Sequence, residues 1–272
     1  MTLLKTENLC YSFDGHTDTI KNISLEIKSG EKIAVIGNNG AGKSTFFLCL
    51  NGVLETDGSI LLNGKRISGK KGFEELRRAT GIVFQEADSQ IIASTVKAEV
   101  AFGVMNLHVK KNEVLKRTEN AMEKMGITSL SSRPPHYLSG GEKRRVVIAD
   151  IIAMEPDIFI FDEPAASLDP ENMGVLESVL ESISSEGKTI LLSTHDMDFA
   201  LKWADRVIVF SGGEIIADGV TEKIFTNDEL LKRAGLKKPV IYQIMDVFAH
   251  SETLPKNIEE LKVLLKEKLD EK

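Results

Sequence analysis

Three stretches near the start of the chain alternate apolar and polar residues with period two: residues 3–13, residues 20–27 (IKNISLEI) and residues 58–67 (GSILLNGKRI). Such alternation sets one face of a strand on a core and the other in water, so it predicts three half-buried strands of a small antiparallel sheet. A second pattern interrupts them. KIAVIG is apolar almost throughout, ends on glycine and runs straight into KSTFFLCLNGV. A continuously apolar strand feeding a helix belongs to a parallel sheet covered on both faces. The same buried-strand pattern returns in DIFIFDE, TILLSTH and DRVIVF. The predicted fold class is therefore α/β: a mostly parallel core with an N-terminal antiparallel β subdomain.

Residues from about 86 to 152 read as helical, which predicts an inserted α-helical subdomain. In KNEVLKRTENAMEKMG, for example, Val114, Leu115, Ala121, Met122 and Met125 stand against a charged face. In FSGGEIIADG, Gly212 and Gly213 fall between two strand patterns, as in a tight hairpin. Past residue 220 the character changes, ending in LPKNIEELKVLLKEKLDEK. There Asn257 and Glu260 resemble a helix-capping pair, and Ile258, Leu261, Leu265 and Leu269 share one face. This small C-terminal extension reads equally well as a helix packed on its own domain or as a dimerisation appendage.

Composition narrows the class. A chain of 272 residues with 42% hydrophobic residues can fill one large core and carry a small appendage. Its net charge of −7 argues against non-specific binding to nucleic acid or to anionic headgroups, both polyanions. Cys10 and Cys49 are far apart and lack metal-ligand spacing, so reduced thiols are expected rather than a disulfide or a zinc site. The first residues show no charged leader followed by an apolar core, and no apolar run approaches the roughly eighteen residues of a membrane span.

Candidate chemistry gathers at strand ends. In GNNGAGKS, Gly37, Asn38, Asn39, Gly40, Ala41, Gly42, Lys43 and Ser44 lie between a strand and a helix. Glycines let backbone N–H groups approach phosphate oxygens, Lys43 brings a point charge to the β and γ phosphates, and Ser44 can ligate magnesium. IFIFDEP delivers Asp162 and Glu163 at the carboxyl end of a buried strand. Asp162 suits the metal, while Glu163 can orient or deprotonate an attacking water. Tyr11 can stack on a base or belong to the core, and residue chemistry leaves both open. His195 closes TILLSTH, where an imidazole can meet a γ-phosphate or simply be structural. PPHYLSGGEKRR places Ser139, Gly140 and Gly141 before a helical run, either as a cap or as an anion-receiving turn.

With GNNGAGKST, LSGGEKRR, FIFDEP, SLDP and LLSTH in this order, residues 1–225 resemble the nucleotide-binding subunit of an ABC transporter. That resemblance implies a P-loop NTPase domain over 1–225, with its helical subdomain at about 86–152, and an extension over 226–272. It implies ATP held by residues 37–45, Thr45 included, with Tyr11 stacked on adenine. Magnesium falls to Ser44, Gln85 and Asp162, and Gln85 couples that site to a membrane partner. Catalysis falls to Glu163 as base, His195 as γ-phosphate sensor, Lys43 and Gln85, while Asp169 lies in a subunit-contact loop. Ser139, Gly140 and Gly141 form the signature turn, which covers the phosphate loop of a second ATP-binding subunit, a copy of this chain or a paralogue.

Finer features resemble the ATPases of energy-coupling factor importers, including the cobalt and nickel type: RPPHYLSGGEKRRVVIADIIAMEP, TVKAEVAFG, LLKRAGLKKP, and FQEADSQ with Asp88 and Gln90. This implies uptake of a metal ion or vitamin through an integral transmembrane subunit and a substrate-binding membrane subunit, with the ATPase peripheral at the cytoplasmic face. The chain departs from that pattern at Glu86-Ala87, where Asn-Pro is frequent, at Glu142, where glutamine is frequent, and in PAASLDP. An acid at 142 repels a triphosphate unless it points away. Soluble ABC ATPases acting on ribosomes or DNA commonly fuse two units or insert coiled coils, and this acidic chain shows neither. A non-catalytic nucleotide binder is disfavoured by Glu163 and His195.

Overall fold

A computed structural model describes residues 1–15, 17–166, 168–247 and 254–270. Strands β1 (Thr2–Ser12) and β2 (Asp18–Lys28) form an antiparallel ribbon paired from Thr2↔Lys28 to Ser12↔Asp18, with register shifts along the way. β3 (Lys32–Ile36) then leads into α1 (Lys43–Asn51). The stretch 58–67, read as one strand, is instead a hairpin: β4 (Asp57–Leu62) and β5 (Lys65–Arg66) pair antiparallel about Asn63 and Gly64. Both turn residues have positive φ, 51° and 77°, so the Asn-Gly pair overrides the alternation on either side. The first sheet has the order β2-β1-β4-β5.

α2 (Gly69–Ala79) returns the chain to β6 (Thr80–Val83). Three helices follow, α3 (Val96–Asn106), α4 (Lys111–Lys124) and α5 (Gly140–Met154), which form the helical insertion. In α4, Ala121 and Met122 are buried and Val114 is half-buried, while Leu115 is exposed, off the predicted apolar face. The remaining elements are β7 (Ile158–Phe161), α6 (Pro170–Ser185), β8 (Thr189–Ser193), α7 (Met197–Trp203), β9 (Arg206–Ser211) and β10 (Glu214–Val220). β9 and β10 make the hairpin foreseen at Gly212 and Gly213. The second sheet has the order β10-β9-β3-β8-β7-β6, parallel except for β10.

The parallel strands are covered on both faces, which is why they read as unbroken apolar runs. Ala34, Ile36, Phe159, Phe161, Ile190, Leu192, Val207 and Val209 point to a core shared with the helical insertion, α6 and α7. Ile33, Val35, Ile158, Ile160, Leu191, Ile208 and Phe210 point to a second core shared with α1 and the antiparallel sheet. On α7, Trp203 stacks on Phe199 with ring centroids 6.2 Å apart.

α8 (Thr221–Phe225), α9 (Asp228–Ala234), α10 (Val240–Val247) and α11 (Ile258–Asp270) complete the chain. Leu231, Ala234, Ile241, Tyr242, Met245 and Leu261 join the first core. In α11 Leu261 is buried and Leu265 half-buried, whereas Ile258 is exposed; the side chain of Leu269 lies outside those described. Among the described residues, no helix is long and apolar enough to cross a membrane.

Candidate active site at the strand carboxyl ends

Because β3, β6, β7 and β8 run parallel, their carboxyl ends lie along one edge, where open α/β sheets bind ligands. β3 delivers the loop 37–42. A side chain at Gly37 is excluded, since a Cβ there would lie 2.5 Å from the Phe210 carbonyl oxygen. α1 starts at Gly42 with no side-chain cap, so its leading N–H groups and the positive end of its dipole remain for an anion. Ala41 is buried, and its carbonyl accepts the Gly213 N–H at 3.0 Å. Asn39, Gly40 and Ser44 are exposed and Thr45 is half-buried. Asn38 meets the C-terminal extension, since a Cβ on Gly235 would fall 2.3 Å from its amide nitrogen.

The ammonium of Lys43 is buried under this loop. It donates to the carbonyls of Gly37 at 2.8 Å and Asn38 at 3.3 Å and lies 3.9 Å from Glu163 Oε1. Burial lowers its pKa, and the nearby charges of Glu163 and Asp162 oppose that shift.

Asp162 and Glu163 follow β7 into this space and do not form a solvated acidic turn. Asp162 is only 6% exposed and accepts from the Ser193 hydroxyl at 2.6 Å. The same hydroxyl accepts the Glu163 N–H at 2.8 Å. Glu163 has φ of 48°, a left-handed conformation that a non-glycine residue holds only when its surroundings fix it. Its carboxylate pairs with His195 Nε2, so the residues after β7 and β8 meet at one oxygen.

Gln85 is exposed beyond β6, and its backbone carbonyl accepts from Arg144 at 2.7 Å. Gln90 brackets the same strand end, accepting the Phe84 N–H at 3.1 Å and donating to Ile82 at 3.0 Å, while Asp88 pairs with Lys143 on α5. FQEADSQ thus docks a segment onto the sheet edge and onto α5.

Ser139, Gly140 and Gly141 open α5. Among the described residues, no hydrogen bond or ion pair joins them to residues 37–45. Ser139 Oγ accepts the Glu142 N–H at 3.3 Å and the Glu142 carboxylate accepts the Ser139 N–H at 2.8 Å, a reciprocal cap. The acid at 142 therefore folds back onto the turn, and the hydrogen bond from Ser139 holds its carboxyl below the usual range. The Ser139 hydroxyl also hydrogen-bonds that carboxylate and adds to the shift. Gly141 is pressed against Asn172, with a Cβ there 2.7 Å from Asn172 Oδ1. Asn172 also donates to Asp169, whose carboxylate caps α6, and accepts from Arg145 at 3.1 Å.

Tyr11 is half-buried against the second core. Phe13, edge-on to it at 4.9 Å between centroids, is 67% exposed and offers the open aromatic face. Sequence reasoning missed Phe13, Ser193, Arg144 and Asn172. Ser193 carried a signal, standing two residues before His195 at the end of the same apolar strand.

Residues 20–166 match the sequence profile of the family described as ABC transporter. The energy-coupling factor transporter ATP-binding protein EcfA of Carboxydothermus hydrogenoformans is 39% identical over 97% of this chain and 97% of its own length. That of Methanocaldococcus jannaschii is 39% identical over 94% of this chain and 92% of its own. Among solved structures, CbiO1 of Clostridium perfringens, described as part of the ABC transporter complex CbiONQ, is 38% identical with a TM-score of 0.75 over 90% of this chain and 99% of that one. A dimeric ATP-binding cassette in a post-hydrolysis state with ADP and Pi is 25% identical with a TM-score of 0.72 over 80% of this chain and 99% of that one. The phosphate loop, the acids after β7 and the agreement along nearly the whole chain lead to one conclusion: this protein belongs to the ABC transporter family and is one of its ATP-binding, ATP-hydrolysing subunits.

Proposed function

We propose that the protein is the ATPase of an energy-coupling factor importer, peripheral at the cytoplasmic face of the membrane, driving uptake of a metal ion such as cobalt or nickel, or of a vitamin, through separate membrane subunits. The observation that carries this reading is that one chain holds an anion-ready phosphate loop and, at the start of α5, a signature turn that makes no hydrogen bond or ion pair to that loop among the described residues. Each half of a site occurs once, so two chains facing head to tail complete two sites, as a homodimer or a heterodimer of paralogues. The likeness to EcfA proteins, to CbiO1 and to a dimeric cassette supports it. The exposed apolar side chains Ile92, Phe102 and Met105, which follow Gln85 in the chain, offer a docking surface to a membrane subunit. The nucleotide-binding unit spans residues 1–225, and the extension 226–272 leaves Ile258 and Val263 exposed for contact with a second copy.

In this assembly Lys43 neutralises the β and γ phosphates, Glu163 orients the attacking water and takes its proton, and His195 steadies that carboxylate beside the γ-phosphate. The partner's Ser139 donates to the γ-phosphate from across the interface. Phe13 supplies the stacking face for adenine, with Tyr11 supporting it from behind. Ser44, Asp162 and Gln85 offer only oxygen donors, and no cage of three or more His, Cys, Asp or Glu forms among the described residues. That fits magnesium, which draws most of its ligands from phosphate and water. Bound there, it would neutralise charge between the β and γ phosphates.

Glu163→Gln tests the reading. Hydrolysis should be lost while ATP and magnesium drive the variant into a stable dimer on size-exclusion chromatography; a variant that stays monomeric sinks the two-site arrangement.

A further inference from the structure

Arg144 is a half-buried cation whose bonds go to backbone carbonyls rather than to an acid. From α5 it donates to the carbonyl of Glu163 at 3.3 Å, to the carbonyl of Pro164, and to the carbonyl of Gln85 at 2.7 Å. Two segments that leave the sheet at different strands are thereby tied to one guanidinium. Burial alone lowers its pKa, and it forms no ion pair among the described residues. A charge half withdrawn from water and matched only to carbonyls favours an arrangement in which its bonds are made.

Glu163 is the residue with most to gain from such a hold. Its φ of 48° is a conformation costing on the order of 1–3 kcal/mol in a non-glycine residue. Its N–H is held by Ser193 from β8, and its C=O accepts from Arg144 on α5 at 3.3 Å as well as from the Ala166 N–H of its own turn at 3.1 Å. Both backbone polar groups of Glu163 thus engage side chains of other elements, and one of those elements carries the signature turn.

We propose that Arg144 is a positioning residue for hydrolysis: it holds the backbone of Glu163 and of Gln85 in working register and ties both to the helix whose first turn serves the opposite nucleotide. The inference rests on the reading of Glu163 as the base. Arg144 acts through backbone, and its effect passes through the aim of the Glu163 carboxylate. Lysine is no substitute, because a single ammonium on a flexible stem cannot span carbonyls of two segments as a planar fork does.

The test uses the full-length chain carrying Arg144→Lys or Arg144→Ala, with ATP turnover, ATP binding and thermal unfolding measured in parallel. A misaimed base costs about 10- to 100-fold in kcat. We expect both variants to show that loss with KM and ATP affinity within about threefold of the wild type, and methylguanidinium added to Arg144→Ala to restore part of the turnover. A kcat within twofold of the wild type, or a parallel fall of melting temperature, affinity and turnover without rescue, overturns the inference. Turnover that persists in Glu163→Gln overturns the base assignment and with it the purpose given to Arg144. Turnover lost in Glu163→Gln yet undiminished in Arg144→Ala overturns the inference about Arg144 alone.

Discussion

Ser193 donates its hydroxyl proton to Asp162 at 2.6 Å. With the Glu163 N–H as its second partner, this one small side chain joins β8 to both acids of the site. Ser193→Ala leaves a nearly buried carboxylate and a backbone N–H each short of a partner, at a cost of about 1–3 kcal/mol. Chemical denaturation should show that loss together with a drop in turnover. Stability equal to the wild type would show that the hydroxyl does not tie the two acids together.

Gly141 and Asn172 set up a second test. Gly141→Ala drives a methyl into the Asn172 amide and should lower stability by about 1–3 kcal/mol and displace the signature turn, with turnover falling in step. Adding Asn172→Ala removes the obstruction, so the double variant should recover much of the loss in stability. Simple additivity of the two single changes would mean that the contact carries no energy.

At the aromatic pair, Phe13→Ala should weaken ATP binding by about 5- to 100-fold, the range of a lost base–aromatic stack, while leaving the melting temperature near that of the wild type. Tyr11→Ala should lower the melting temperature, because that ring packs on the second core. Calorimetric titration of both variants separates the roles, and a reversed order of effects would return the stacking face to Tyr11.

Asp150, on α5, is the buried acid with a clear dependence on pH. Burial pushes its carboxyl up to about 7; the Gly103 N–H at 3.1 Å opposes the shift and the nearby Glu99 adds to it. Below about pH 4 it is protonated folded and unfolded alike, at no cost. As pH rises from about 4 to 7 the unfolded chain gives up this proton while the folded chain keeps it, so stability falls by on the order of 1 kcal/mol per pH unit. Asp150→Asn lacks this titration, so urea unfolding at pH 5 and pH 8 should show it gaining on the wild type at the higher pH. A constant difference across that range would contradict the assignment.

The parallel core was legible because each strand buries both faces: Ile33 and Val35 serve one core, Ala34 and Ile36 the other, and the sequence reads apolar at every step. The hairpin at Asn63-Gly64 is hidden in the sequence because a short β5 continues the alternation of β4 across the turn dipeptide. The phosphate loop, the acids after β7 and His195 were readable since each closes an apolar strand. Ser193, Arg144 and Asn172 act across elements that only folding brings together, and nothing local marks them. Glu142 reads as a liability beside an anion, yet serine followed three residues later by glutamate is also the spacing of a capping box, and the Ser139 N–H is its partner.

Trp203 is the only tryptophan in the chain, and it is 8% exposed at the end of α7, the helix that begins two residues after His195. Stacked on Phe199 and carrying an indole N–H with no acceptor among the described residues, it is a built-in fluorophore sensitive to any shift of that helix. Its emission offers a label-free optical signal from the His195 segment, readable during turnover in real time and without engineering a dye into the protein.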